Sequence, residues 1–208
     1  LPALLRAGLY HADGQIDGEV YEYGSFLQSR MFQAGVTCSD CHEPHSLKLR
    51  AEGNGVCLQC HGAQHHANEQ HHFHPASSAG AQCVACHMPA KNYMVVDPRR
   101  DHGFRIPRPD LTVKIGTPNA CTGCHADRSP AWAATALRRK LGREPRGFQN
   151  YAETLHAARS GAADAESRLT ALLQDDAQPA IARATAAAEL GRRLSPNSLA
   201  PLVQSLYD

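Results

Sequence analysis

Residues 38–42 read Cys-Ser-Asp-Cys-His, and the same arrangement, two cysteines three positions apart with a histidine directly after, returns three more times. The other copies occupy residues 57–61, 83–87 and 121–125. Together they use all eight cysteines of the 208-residue chain. The intervals between copies are 14, 21 and 33 residues, and this unequal spacing indicates a repeated chemical group rather than a repeated structural unit.

This five-residue spacing is typical of covalent haem attachment in c-type cytochromes. The two thiols form thioether bonds with the two vinyl groups along one edge of the porphyrin, and the histidine binds the iron from one face. Four copies therefore predict four c-type haems as cofactors. The predicted attachment residues are Cys38, Cys41, Cys57, Cys60, Cys83, Cys86, Cys121 and Cys124, and the predicted first iron ligands are His42, His61, His87 and His125.

Cysteine pairs of this spacing also occur in other kinds of site. Two pairs can hold a zinc ion, one pair can serve as a thiol redox motif, and eight exported cysteines can form four disulfides. None of these sites requires a histidine directly after every pair. With 13 histidines in 208 residues, four such placements arise by chance in roughly one case in 10⁵. Haem attachment is therefore the prediction, and zinc or disulfides remain the alternatives.

A second axial ligand must complete each iron unless one position stays open for substrate. Nine histidines lie outside the motifs and methionine occurs only three times, so we expect bis-histidine coordination at low potential. The predicted second ligands are His11, His45, His71, His74 and His102. Prolines stiffen the turns at His45 and His74. His102 lies in the longest gap between motifs. His11 precedes every motif, so an N-terminal strap would have to bring it back to a haem. The remaining histidines, His65, His66, His72 and His156, are interpreted as solvent-exposed side chains.

The composition of the motif region suggests how it folds. Hydrophobic residues make up 42% of the chain but aromatic residues only 6%, so we expect the haems themselves to form the core of a tetrahaem domain over residues 1–127. Frequent glycine and proline predict short helices at the motifs joined by irregular loops. Extended, strand-like runs are predicted at Val95-Val96 and over residues 106–115, within a strap across the third and fourth haems.

The sequence changes after the fourth motif, where cysteine disappears and alanine, leucine and arginine become frequent. Capping residues and leucine spacing predict a series of helices. The predicted helices run from 130 to about 141, from 164 onward, from about 179 to 194 and from about 196 to 207. Residues 128–208 are thus predicted to form a helical, HEAT-like α-solenoid domain, either truncated or covered by another subunit at its last helix. The expected fold class is mainly α with much irregular loop.

Charge and hydropathy limit the partners. The formal net charge is +1 with neutral histidines, so no strong field attracts nucleic acid or an anionic membrane. No apolar run approaches the roughly 18 residues of a membrane span. Residues 1–9 are too short for an intact secretory signal, so we expect a mature chain or a fragment. Because thiols meet haem outside the energy-transducing membrane, a periplasmic or extracellular location is expected.

A family resemblance rests on four stretches of sequence. They are 24–29 (Gly-Ser-Phe-Leu-Gln-Ser), 35–42 (Gly-Val-Thr-Cys-Ser-Asp-Cys-His), 80–89 (Gly-Ala-Gln-Cys-Val-Ala-Cys-His-Met-Pro) and 104–110 (Phe-Arg-Ile-Pro-Arg-Pro-Asp). On these, residues 24–142 resemble bacterial multihaem cytochromes c in which a cytochrome c3 or c554-like region precedes HEAT- or TPR-like helical repeats. The resemblance implies electron transfer through haems in stacked and T-shaped pairs. Members have a further N-terminal haem motif and a longer repeat array, which this sequence does not contain.

Three functions follow as hypotheses. The first is electron transfer between a membrane or periplasmic donor and an external acceptor, with redox proteins as partners. The second is a multihaem oxidoreductase in which one open-site haem acts on a small nitrogen or oxygen species. The third is a subunit that polymerises with itself and passes electrons from copy to copy. Because nine further histidines can saturate four irons, the electron carrier is preferred over the enzyme.

Overall fold

The computed structural model describes residues 4–206. Helices take 47% of them and strands 6%, and the remainder is irregular loop, so the mainly helical fold class is confirmed. The helices are α1 (Glu22–Phe26), α2 (Arg30–Gln33), α3 (Cys38–Cys41), α4 (Gly55–Leu58), α5 (Ala63–His66), α6 (Glu69–His72), α7 (Cys83–His87), α8 (Pro109–Ile115), α9 (Ala120–Cys124), α10 (Pro130–Leu141), α11 (Ala152–Ser160), α12 (Ala165–Gln174), α13 (Ala180–Leu190) and α14 (Pro196–Gln204). No helix in this part of the chain is both long and apolar enough to cross a membrane.

The predicted extended strap differs from the observed backbone. A short antiparallel hairpin pairs β1 (Ala90–Tyr93) with β2 (Asp97–Arg100). Val95 and Val96 lie in the exposed turn of this hairpin rather than in a strand. The extended run predicted over 106–115 was also wrong, because Pro109 occupies the first turn of α8, where its fixed φ suits a helix start.

Most of the predicted C-terminal helices are present. Ser129 caps α10 by accepting a hydrogen bond from the Trp132 amide (3.2 Å), as the Ser-Pro pair predicted. The third predicted helix was too long, since α13 ends at Leu190. There the chain forms a tight turn, in which the Arg193 amide donates to the Leu190 carbonyl (2.8 Å). The last helix ends at Gln204, and its predicted end at 207 lies outside the described residues. Helix α12 packs against α11, α13 and α14.

The main hydrophobic core lies between these helices and the N-terminal segment. Leu5, Tyr10 and Ile16 are buried against a set of leucines from the C-terminal helices. The members of that set are Leu155, Leu169, Leu172, Leu173 and Leu190, each at most 6% exposed. Burying one such side chain contributes roughly 1.5–3 kcal/mol, so this cluster is where side-chain packing stabilises the chain. The core therefore crosses the boundary that the sequence predicts near residue 127.

A buried guanidinium joins three parts of the fold. Arg105 donates to the Asp13 carbonyl, to Gln28 Oε1 and to the Tyr151 hydroxyl (3.1 Å for the last). Burial opposes its charge, but Tyr151 and Asp13 outweigh that effect and raise the pKa of Arg105. Gly14 is needed here because its φ is +83° and a Cβ would lie 2.1 Å from Gln28 Oε1. The N-terminal segment, the motif region and α11 are thereby held in one arrangement.

The motif region has almost no side-chain core of its own. Between residues 30 and 92, Ala81 is the one buried residue, and all others are at least partly exposed. A segment of this length with so little buried apolar surface cannot offset the conformational entropy lost on folding. Something other than its own side chains must stabilise it.

Candidate haem-attachment sites

The local backbone places the two thiols of a motif together. Helices α3, α7 and α9 begin at or one residue before the first cysteine, and the second cysteine follows one turn later. Residues three apart lie on the same side of a helix, which is what two thioether bonds to one porphyrin edge require. No disulfide joins any two of the eight cysteines, and all of them are exposed or half-exposed.

Neighbouring cysteines link the four motifs in space in their order along the chain, and the first link is between Cys41 and Cys60. Burial, and then the neighbouring Cys83, raises the pKa of the Cys57 thiol to about 11. Cys86 also has a raised pKa, caused first by burial and then by Cys121 and Cys124. Asn54 joins the second and third motifs, because its amide accepts from the Cys83 N–H and donates to the Ala81 carbonyl, both at 2.9 Å.

Three imidazole pairs are the main geometric feature of the region. Each pair joins one motif histidine to one predicted second ligand. The pairs are His42 with His102 (ring centres 6.4 Å apart, 34° between planes), His87 with His71 (6.0 Å, 22°) and His125 with His74 (6.1 Å, 28°). Assuming an iron–nitrogen bond of about 2.0 Å, as for zinc and imidazole, two rings trans across one iron have centres about 6 Å apart. The spacing suits an iron between each pair.

Hydrogen bonds to backbone carbonyls orient four of these rings and select one tautomer. His42 Nδ1 bonds to the Leu47 carbonyl (3.0 Å), and His87 Nδ1 to the Arg105 carbonyl (2.7 Å). His102 and His74 likewise bond to backbone carbonyls of residues 100 and 72. A carbonyl only accepts, so each Nδ1 carries the proton and each Nε2 keeps a free lone pair, as behind metal-bound histidines. The sequence did not reveal these bonds.

The surroundings favour neutral rings and leave space for them. Burial lowers the pKa of His87, against the opposing effect of the Arg105 carbonyl. Burial, followed by the nearby His87, also lowers the pKa of His71. A Cβ at Gly80 would lie 2.5 Å from the His74 ring, so glycine is what allows this ring its position. Neutral imidazole is the form that binds iron.

The second motif differs from the other three. The His61 ring contacts His66, with centres 5.3 Å apart and planes at 88°, and His66 in turn contacts His71 at 5.1 Å. Among the described residues, none of the five predicted second ligands forms a ring pair with His61. Sequence reasoning had placed His66 in an exposed loop, although its position five residues after His61 was an available signal.

Two predicted ligands, His45 and His11, form no ring pair with a motif histidine among the described residues. The His45 side chain is 95% exposed, and its Nδ1 is 3.1 Å from Glu43 Oε1. Bonds from the Ser46 amide and from His45 lower the pKa of Glu43 to about 2. His11 Nε2 faces Asp17 Oδ1 at 3.4 Å. Their roles as iron ligands stay predictions.

The chemistry of the site fits haem in two respects. The imidazoles converge in pairs, as bis-histidine haem requires. The region that carries them also lacks an apolar core of its own, which planar porphyrins between the motifs would supply.

Comparison with known proteins adds no assignment: no family model, no curated protein and no solved structure matches this chain. The resemblance drawn from residues 24–142 therefore stays a prediction. What the site can do follows from its own geometry, which places four thiol pairs in order and three imidazole pairs at iron-spanning distance.

Proposed function

We propose that this chain attaches four c-type haems and carries electrons along them, between a membrane or periplasmic donor and an external acceptor. The three imidazole pairs with ring centres 6.0–6.4 Å apart carry the proposal. In each pair one ring belongs to a Cys-x-x-Cys-His motif and the other lies outside that motif, 16 to 60 residues away along the chain. When bound, such haems exchange one electron at a time and transfer no atoms.

The protein's part is to hold each haem and to orient the histidines that bind its iron. The thiols would fix each porphyrin edge, and the Nδ1–H bonds of His42, His87 and His102 would aim each Nε2 at the iron. Direct neighbours along the chain of motifs, such as Cys57 with Cys83, support transfer in the order of the motifs. Attachment by thioether bonds implies an exported protein whose partners are redox proteins.

One observation favours a second candidate, a multihaem oxidoreductase acting on a small nitrogen or oxygen species. His61 contacts His66 at 5.3 Å and 88°, whereas the three other pairs have ring centres 6.0–6.4 Å apart and planes at 22–34°. A weak or displaceable second ligand on that iron would leave a position for substrate.

Spectroscopy of the haem-loaded protein tests both candidates. The mass of the purified chain counts the haems, and electron paramagnetic resonance with carbon monoxide or nitrite titration counts those with an open position. For the electron carrier we expect four haems, all low-spin, with no carbon monoxide bound after reduction. A His66→Ala variant shows which iron His66 serves, because only the haem on Cys57 and Cys60 should change.

The number of haems and their spin states distinguish the electron carrier from the oxidoreductase. One high-spin haem that binds carbon monoxide in the unaltered protein would favour the oxidoreductase. Fewer than four haems in protein made by cells competent for haem attachment would contradict the proposal, and so would a chain in which none of the haems undergoes reversible reduction.

A further inference from the structure

A strongly basic stretch follows the fourth motif. Residues 128–146 contain six basic side chains and one acidic one, a net charge of +5 in a chain whose total is +1. The rest of the chain therefore carries −4. The six basic residues, which we call the basic surface, are Arg128, Arg138, Arg139, Lys140, Arg143 and Arg146, and all six are exposed. The charge is thus concentrated in one part of the molecule.

Much of this charge is not neutralised locally. Arg128 pairs with Asp127 at 3.1 Å and Arg138 with Glu144 at 3.1 Å. Within the described residues, the other four cations of the basic surface have no carboxylate at ion-pair distance. Arg139 and Lys140 follow Trp132 by seven and eight positions, so the three share one face of α10.

The basic surface borders both imidazoles of the fourth site. The Trp132 ring lies 5.0 Å from the His125 ring, and the Arg128 guanidinium carbon lies 5.7 Å from the Trp132 ring centre. On the other side, Lys140 Nζ is 5.8 Å from the centre of the Phe73 ring, directly before His74 in the chain. Trp132, the chain's single tryptophan, is 39% exposed.

A cleft beside α10 continues this surface. It encloses about 680 Å³ and is lined by Arg108, Lys114, Arg138 and Arg146 together with Asp110 and Glu144. Arg108 is bound to Asp110 (2.7 Å) and Lys114 to Glu153 (2.9 Å), whereas Arg146 has no such partner among residues 4–206. The cleft therefore offers a free guanidinium to an acidic side chain that projects into it.

We propose, resting on the proposed function, that the basic surface docks an acidic electron-transfer protein and that electrons pass there through the haem on Cys121 and Cys124. Exposed tryptophan and arginine are the residues that most often anchor protein interfaces, and an uncompensated cationic field steers an anionic partner. In each transfer one ferrous iron becomes ferric and one ferric iron becomes ferrous. No proton or atom moves with the electron.

Stopped-flow mixing tests this docking. The haem-loaded protein is reduced, freed of reductant and mixed with a ferric, acidic b-type cytochrome of higher potential, at low and at high ionic strength. The double variant Arg139→Glu/Lys140→Glu should lower the second-order rate constant at low salt about tenfold or more, the scale of electrostatic steering. It should also remove most of the salt dependence.

A matched variant controls for total charge. Arg168→Glu/Arg192→Glu makes the same change of charge at two exposed side chains, one on α12 and the other in the turn after α13. We expect its rate constant to stay within about twofold of the unaltered protein, because steering depends on charge near the docking site. Equal losses in both variants, or none in either, would overturn the docking site.

Two further measurements separate the outcomes. If the unaltered protein binds phosphatidylglycerol vesicles through Arg139 and Lys140 while its rate with the b-type cytochrome is insensitive to both charges, the surface faces lipid and the proposal is wrong. Haem count and reductive titration of each variant test the proposed function separately. Four reducible haems with unaltered docking rates would remove this inference and leave electron transfer standing.

Discussion

At the scale of single residues, what distinguishes one predicted ligand from another is whether its ring lies beside that of a motif histidine. His102 donates from Nδ1 to the Arg100 carbonyl (2.9 Å), and its ring centre is 6.4 Å from that of His42. His45 has its Nδ1 on a carboxylate and is 95% exposed. Both were predicted second ligands, yet only the first is held beside a motif histidine.

His102→Ala is therefore expected to open one iron. The haem on Cys38 and Cys41 should change from low-spin to high-spin and bind carbon monoxide when reduced, because its second imidazole is gone. One haem of the four should respond in electron paramagnetic resonance and absorption. His45→Ala is the control and should leave both spectra unchanged. If the two variants behave alike, the pairing of His42 with His102 is wrong.

At the scale of elements, the helices divide into two groups. Helices α3 to α7 and α9 have five residues or fewer, with no buried side chain, whereas α12 buries Leu169, Leu172 and Leu173 and contacts three other helices. Helices as short as those of the first group are unstable alone, because the first turn fixes several backbone dihedral angles in exchange for a single hydrogen bond. Their stability must come from what they bind.

Leu169→Ala is expected to lower the free energy of unfolding by about 2–5 kcal/mol, because the side chain is fully buried and its removal leaves a cavity. Leu199→Ala, at a position 56% exposed on α14, should change it by no more than about 0.5 kcal/mol. Denaturant unfolding followed by far-ultraviolet circular dichroism gives both values. Similar losses in both variants would mean that α14 is covered in solution.

At the scale of the whole molecule, buried side chains are concentrated in the hydrophobic core, and the motif region has almost none. The core joins the N-terminal segment to α11, α12 and α13, and Leu5 N–H donates to Thr185 Oγ1 at 3.0 Å across it. The segment from residue 30 to residue 92 buries only Ala81. The two regions should therefore depend differently on haem.

Without haem attachment, the amides of residues 38–87 should lose protection from hydrogen exchange, while those of residues 152–190 should stay protected. The reason is that porphyrin surface would replace the missing core in the first region only. Hydrogen exchange with mass spectrometry, on chains produced with and without the attachment machinery, measures this. Equal protection of residues 38–87 in both forms would show that haem is not their core.

The sequence by itself predicted the attachment residues and most C-terminal helices. The bonds of haem attachment all fall within five consecutive residues, and a helix such as α10 begins at a local Ser-Pro signal, so neither prediction needs a distant partner. The start of α8 at Pro109 was missed because the prolines before it favoured an extended strap.

Only the tertiary structure decided which second histidine faces which motif. His102 lies 60 residues from His42, and His74 lies 51 residues from His125. Such pairings depend on contacts between distant parts of the chain. Here these are the hydrogen bonds of buried Arg105 and the space that Gly80 leaves beside the His74 ring. The same holds for the contact of His61 with His66 and for the basic surface beside Trp132. Spacing along a chain defines bonds within one turn, whereas contacts between distant turns are set by packing.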